Sequence, residues 1–378
     1  MRNFLAPLPF VALTFLCWGN YGPMMHRGTH AMESVFPAGE AGADGHDLEI
    51  RLVPFIFVGV AYFLIAVVVP MTVLVVKGET GHWSMTGSFW SITAGVITAV
   101  GALGIVLALA GGGKPIYVMP LVFGCAPVVN TLVTMYMART WRDVNVIFIA
   151  GTIVVALGAA GVLFFAPPPP GSDPSFSISK VFEDIMVLFW IGVTALCWGA
   201  YGPLLHKGQM QMKGSRLRPF MCVGISYFAV AIVIPVLILS SSSNLDGGSL
   251  FNLRASLWSL AAGAAGAVGS LGLILAFNFG GKPIFVMPLV FGCAPVVNTF
   301  TTIVTRYFEN GTVGAIYTFF LLSLAMVIGG AVTVLIFAPK GHKPGGAKSP
   351  AKPADKSASK EDPKAKRDAD AKPSPAET

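Results

Sequence analysis

The chain has 378 residues, 54% hydrophobic and 11% charged, with a formal net charge of +7 and a mean hydropathy of +0.72. Soluble domains carry about 25% charged residues, so a body this poor in charge cannot cover a water-exposed surface. That excludes an ordinary soluble enzyme or nucleic-acid-binding module. The charge is also uneven, because residues 340–378 alone hold ten of the 25 Lys/Arg and six of the 18 Asp/Glu.

Apolar runs of about 20 residues are the unit that crosses a bilayer as a helix. Ten are visible, near 4–25, 52–76, 89–110, 115–137, 145–166, 183–205, 219–239, 257–277, 283–303 and 314–337, and none holds an Asp or Glu away from its ends. Without water to satisfy the backbone, each run is expected to be helical. The expectation is an all-α integral membrane protein of ten transmembrane helices.

The first run follows Arg2 and has the outline of a signal peptide. Its stretch 14–28, TFLCWGNYGPMMHRG, returns in mid-chain as 194–208, TALCWGAYGPLLHKG. A mid-chain copy cannot be a signal, so both are read as spans. Trp18, Tyr21, Trp198 and Tyr201 in this motif can stack on a flat solute, or sit in an interfacial aromatic belt. His26 and His206 fall on opposite faces, too far apart for one metal site. The first loop is read as 26–50.

The second run, 51–70 (RLVPFIFVGVAYFLIAVVVP), matches 216–235 (RLRPFMCVGISYFAVAIVIP). The third and eighth runs are glycine-rich, which permits tight helix contact. The fourth holds GGKPIYVMPLVFGCAPVVNT at 112–131, which recurs as GGKPIFVMPLVFGCAPVVNT at 280–299 with Tyr117 against Phe285 as the one difference. Here Pro120 and Pro127, and Pro288 and Pro295, each free a carbonyl four residues earlier. Pro23 and Pro203 do the same in the first and sixth runs. These six prolines are expected to break their helices, with Pro127 and Pro295 near the midplane. Asn130 and Asn298 lie three residues further on. Each amide either faces a central cavity or bonds a neighbouring helix. Lys114 and Lys282 either draw anions to the two mouths or snorkel from helix ends.

Five runs per half force the second half to enter from the opposite face, giving an inverted repeat such as many secondary transporters use. The halves are read as 1–171 and 172–339. Residues 340–378 form a basic Lys/Ala/Pro tail, expected to be disordered. With the first residue inside, the inner loops hold nine basic residues (Arg2, Lys77, Arg139, Arg142, Lys207, Lys213, Arg216, Arg218, Lys282) against six outside (Arg27, Arg51, Lys114, Lys180, Arg254, Arg306). Both termini are therefore expected in the cytoplasm of an inner-membrane protein. The five cysteines lie within runs and show no disulfide or metal spacing. There is no Walker loop, no nucleophile–base constellation and no metal cluster, so an enzyme, a cofactor and a metal site are not expected.

The repeat architecture, the WG pairs Trp18-Gly19 and Trp198-Gly199, and the fourth-helix prolines Pro127 and Pro295 resemble the drug/metabolite transporter superfamily with EamA-like repeats. The resemblance covers about 1–339, and the bacterial glucose/ribose and rhamnose porters look nearest. It implies ten helices around a central cavity and alternating access. The expected function is secondary transport of a small polar solute, a sugar or related neutral metabolite. An anionic metabolite recognised by Lys114 and Lys282 is the alternative. A membrane sensor or scaffold acting through the tail is an alternative of another class. The expected partners are a small-molecule solute and the lipid bilayer, without nucleic acid; a homodimer is compatible.

Overall fold

The computed structural model describes residues 6–35, 47–139, 141–165, 185–241, 251–279, 283–311 and 318–337. The tail beyond Phe337 and both chain ends lie outside them. Among the described residues the chain is helical, without a strand. The α-helices are α1 (Leu8–Glu33), α2 (Asp47–Phe63), α3 (Val69–Lys77), α4 (Met85–Ala110), α5 (Pro115–Ala138), α6 (Val146–Phe164), α7 (Ile185–Gln211), α8 (Leu217–Tyr227), α9 (Ile234–Ser241), α10 (Leu253–Asn278), α11 (Pro283–Asn310) and α12 (Thr318–Ile336).

Eight stretches among these are long and apolar enough to cross a membrane: Glu49–Lys77, Met85–Ala110, Pro115–Met137, Ile185–Gln211, Leu217–Ser241, Leu253–Ala276, Leu289–Glu309 and Thr318–Ile336. Their outward faces stay apolar, with Val75, Phe89, Leu237 and Leu322 exposed. In water that would be a large aggregation liability, and in lipid it is the favoured surface. The chain is a multi-pass membrane protein.

Local chemistry sets the helix ends. Ser84 caps α4 by accepting from Gly87 N, Asn145 caps α6 through Phe148 N, and Asn252 caps α10 through Ala255 N. Pro115 opens α5, where its missing N–H is no loss. Gly78 ends α3 at φ 68°, a conformation that favours glycine.

The six singled-out prolines do not break their helices. The backbone of α1 runs on through Pro23, α5 through Pro120 and Pro127, α7 through Pro203, and α11 through Pro288 and Pro295. Packing against neighbouring helices holds the helical path despite the lost bonds. A different pair of prolines does perturb the backbone. α2 joins α3 through a π-helical stretch, Leu64–Val68, and α8 joins α9 through another, Phe228–Val233. Pro70 and Pro235 lie just beyond. Neither can donate to the residue four back, and the ladder widens instead. Val69 N–H donates to Leu64 O, and Ile234 N–H to Ala229 O, each five residues back.

The loop expected at 26–50 is shorter than that, because α1 continues to Glu33 and α2 starts at Asp47. The added turns carry His26, Arg27 and His30 into the bundle.

The two halves are intercalated, with each half's first helix packed on the other half's third and fourth. Trp18 on α1 donates its indole N–H to Gly266 O on α10, and Trp198 on α7 donates to Thr98 O on α4, both at 3.2 Å. Thr14 bonds Gly269 O and Thr194 bonds Gly101 O in the same manner. Gly19 lies against Ala294 and Val297 of α11, and Gly199 against Ala126 and Val129 of α5. At the centre, Tyr62 and Tyr227 stack at 3.8 Å with rings 1° apart, beside Phe63 and Phe228 at 5.0 Å. α6 and α12 pair with each other, Gly158 against Val327 and Gly330 against Val155.

One connection is tied electrostatically. Glu79 accepts from Ser215 Oγ (2.6 Å), Arg216 N (2.9 Å), Leu217 N (3.3 Å) and Arg218 Nη1 (3.4 Å), capping α8. Glu79→Ala strands several of these donors and should lower stability by about 1–3 kcal/mol. Thermal unfolding in detergent checks this, and Glu79→Gln, which keeps acceptor oxygen, should recover part of the loss.

Candidate functional site

α5 has 24 residues, about 36 Å of helix at 1.5 Å per residue. Lys114 and Arg139 therefore mark opposite ends of the bundle. His30, Trp258 and Glu309 share the Lys114 end, and Gln211 and Arg216 share the other.

A cavity of about 840 Å³ runs from the middle of the bundle to the Gln211 end. Its inner wall is aromatic: Trp18, Tyr21, Tyr62, Phe123, Trp198, Tyr201, Tyr227 and Phe291. The rings brace one another in matched pairs. Trp18 meets Phe291 at 6.5 Å, Trp198 meets Phe123 at 6.1 Å, and the two phenylalanines meet at 6.2 Å. With both indole N–H groups held by carbonyls, Trp18 and Trp198 present ring rather than donor to the cavity. Thr98, Asn130, Thr134 and Ser270 supply polar edges, and His206, Lys207 and Arg216 stand at the mouth. Among the described lining residues none is acidic.

Two hydroxyls behave differently. Tyr227 OH donates to Thr98 O at 3.2 Å. Tyr21 OH is buried with no partner among the described residues. A buried hydroxyl left unpaired costs about 1–3 kcal/mol, so it is the natural handle for a polar ligand or water.

The sequence candidates divide. Trp18, Trp198, Tyr21, Tyr201 and Asn130 all lie on this cavity, as does Pro203. Tyr21 is buried and Tyr201 half-buried, so neither belongs to an interfacial belt. Asn298 is not on the cavity. It is fully buried, and its Nδ2 donates to Pro115 O at 2.8 Å, at the Lys114 end. Of the two readings of the amides, Asn130 takes the cavity and Asn298 the bond to a neighbouring helix, so the two do not line one cavity in this conformation. The two sequences agree up to Thr131 and Thr299 and then diverge, and the surroundings differ too: Asn130 lies on the cavity that opens at the Gln211 end, whereas Asn298 is enclosed at the Lys114 end. Met119 and Asn298 both press on Gly22 at the closed end, whereas Asn130 faces open space beside Gly202.

Lys114 lines a second hollow, of about 550 Å³, with Pro23 and the residues of the α1 extension. Lys282 lies outside the described residues, and the side chain of Pro288 is likewise not described. Among the described residues no cluster of His, Cys, Asp or Glu can hold a metal ion.

Sequence reasoning missed Tyr62, Phe123, Tyr227, Phe291, Thr98 and Ser270. The signal was present, since Tyr62 and Tyr227 occupy one position of the second-run repeat, and Phe123 and Phe291 one position of the fourth-run repeat.

No family model matches the chain. No curated protein matches it. Among solved structures, a chain described only as "Crystal structure of protein" superposes with a TM-score of 0.50 at 13% identity, covering 88% of this chain and 97% of its own. That likeness is one of fold.

Proposed function

We propose that the protein is a secondary transporter that moves a small polar solute, a sugar or related neutral metabolite, by alternating access. The observation that carries the reading is the central cavity: aromatic, free of acidic groups among its described residues, and bounded by matched helices that are locked at one end only. Aromatic faces stack on sugar rings, and Tyr21 OH, Asn130 and Thr134 supply hydrogen-bonding edges. The missing carboxylate disfavours an organic cation, which would need a buried counter-ion.

In this proposal the chain crosses the membrane ten times as two inverted five-helix repeats, as the drug/metabolite transporter resemblance implies. α1 and α6 then join the eight apolar stretches as spans. The reciprocal contacts, Trp18 with Gly266 against Trp198 with Thr98, are what an axis in the membrane plane would generate. Both termini lie in the cytoplasm of an inner membrane, and the open cavity faces inward. Switching exchanges one lock for its copy: Asn298 releases Pro115 O at the outer end, and Asn130 takes up Pro283 O, the matching carbonyl, at the inner end. The solute site between them is exposed to each side in turn.

Topology has a direct check. An impermeant thiol reagent on intact cells should label Cys introduced at Ser34 and spare Cys introduced at Ser357. Labelling of the tail would reverse the orientation. For the activity, purified protein is screened against a metabolite library by thermal shift, because a ligand of the folded state raises its melting temperature. The ligand found should then exchange across proteoliposomes in counterflow. Ligand binding without any counterflow would favour a sensor.

A further inference from the structure

The hollow at the Lys114 end is strongly basic. Its walls carry Arg27, Lys114, Arg254 and Arg306, with His26 and His30, against one carboxylate among the described residues, Glu309. Arg27 takes that carboxylate in a 2.9 Å ion pair and lies 4.6 Å over the Trp258 ring. His30, Lys114 and Arg306 line the same hollow as His26 and act on it electrostatically, as does Glu309 with the opposite sign. His26 Nδ1 is buried with no hydrogen-bond partner among the described residues.

This charge is not a by-product of the repeat. The position matching Arg254 in the first half is Thr86, and the position matching Arg306 is Ala138. Arg27 and its copy Lys207 each lie over a tryptophan, Trp258 and Trp90. The pair that has been duplicated is thus spent on rings, and Arg254 and Arg306, added at this end alone, raise the charge beyond Lys114 and the Arg27–Glu309 pair. Like charges in a partly desolvated hollow repel more strongly than in water. An anion relieves that repulsion, and a guanidinium fork fits the two oxygens of a carboxylate or phosphate group.

We propose that this hollow is a binding site for a small oxyanion, a carboxylate or phosphate group held by Arg254 and Arg306 with His26 Nδ1 as a further hydrogen-bonding partner. The site differs from one built on Lys114 and Lys282, because it belongs to one end of the bundle. It also stands apart from the transport reading, since it needs no solute in the central cavity. A free oxyanion and a lipid headgroup offer the same chemistry.

The test is equilibrium dialysis of labelled inorganic phosphate against the full chain in neutral detergent at constant ionic strength. Saturable binding is expected, weakened at least about tenfold, as loss of a charge-assisted bond implies, by Arg306→Gln and by Arg254→Gln. Arg142→Gln, at the opposite end, should leave it unchanged. Arg254 is exposed, so its replacement should keep the melting temperature and separates lost binding from lost folding. Repeating the measurement in nanodiscs assigns the source: competition by anionic but not zwitterionic lipid marks a headgroup site, and equal binding in both marks a free oxyanion. Absence of saturable phosphate binding by the wild type, or binding unmoved by both arginine changes, overturns the proposal. Neither result touches the transport reading, which is scored by counterflow.

Discussion

Gly199→Leu and Gly19→Leu should each destabilise the bundle by about 3 kcal/mol or more, at the upper end of overpacking effects. At Gly199 an added Cβ would meet Ala126 O and Val129 of α5, and at Gly19 it would meet Ala294 O and Val297 of α11. A carbonyl in a helix cannot rotate away as a flexible side chain can, so α1 and α7 would have to separate from the helices they cross. Gly192→Leu on α7 is the control, because nothing lies within reach of a Cβ there. Melting temperature and the fraction recovered as monodisperse protein read the effect. Gly199→Leu melting like Gly192→Leu would remove the close crossing from the account.

The second large effect concerns the asparagine pair. Asn130→Ala should weaken ligand binding by about 1–3 kcal/mol, the penalty for a polar partner left unmet, and leave the melting temperature close to wild type. Asn298→Ala should act the other way. It removes the 2.8 Å bond to Pro115 O from a fully buried site, but it also removes Oδ1, which has no partner among the described residues. The two terms partly cancel, so the stability loss should be modest, about 1 kcal/mol. The larger consequence is a shift toward opening at the Lys114 end. Affinity and melting temperature measured together on both variants separate these roles. Two variants that both bind normally would leave the duplicated motif without a role in the site.

The bundle was legible in the sequence where its signal is one of solvent. Long apolar runs without mid-run acids have one stable answer in lipid, and α2 to α12 fall close to the runs read. The pairing of the halves was legible only as repetition. Repetition does not say that Trp18 reaches α10 or that Trp198 reaches α4, because those are contacts between halves and leave no mark on either copy alone. The prolines misled for a related reason. Whether a lost hydrogen bond bends a helix depends on what packs around it, and Pro70 and Pro235, not the six in the motifs, coincide with the widened turns. The unlike fates of Asn130 and Asn298 were beyond any sequence reading. The copies share GCAPVVNT but diverge just beyond it, and the contrast between a cavity-lining Asn130 and a buried, bonded Asn298 is the observation that suggests a switch.

That switch can be tested by pulsed dipolar distance measurement between spin labels placed at both ends of the protein in nanodiscs. Labels on Cys at Ser34 and Gly111 report the Lys114 end, and labels on Cys at Lys213 and Phe279 report the other; all four positions are exposed. With the ligand found by thermal shift, the account predicts two populations at each pair, coupled in opposite senses: when the Ser34–Gly111 distance lengthens, the Lys213–Phe279 distance shortens. The Asn298→Ala variant should favour the state open at the Lys114 end. Distances that stay fixed at both ends under every condition, or both ends open together, would contradict alternating access.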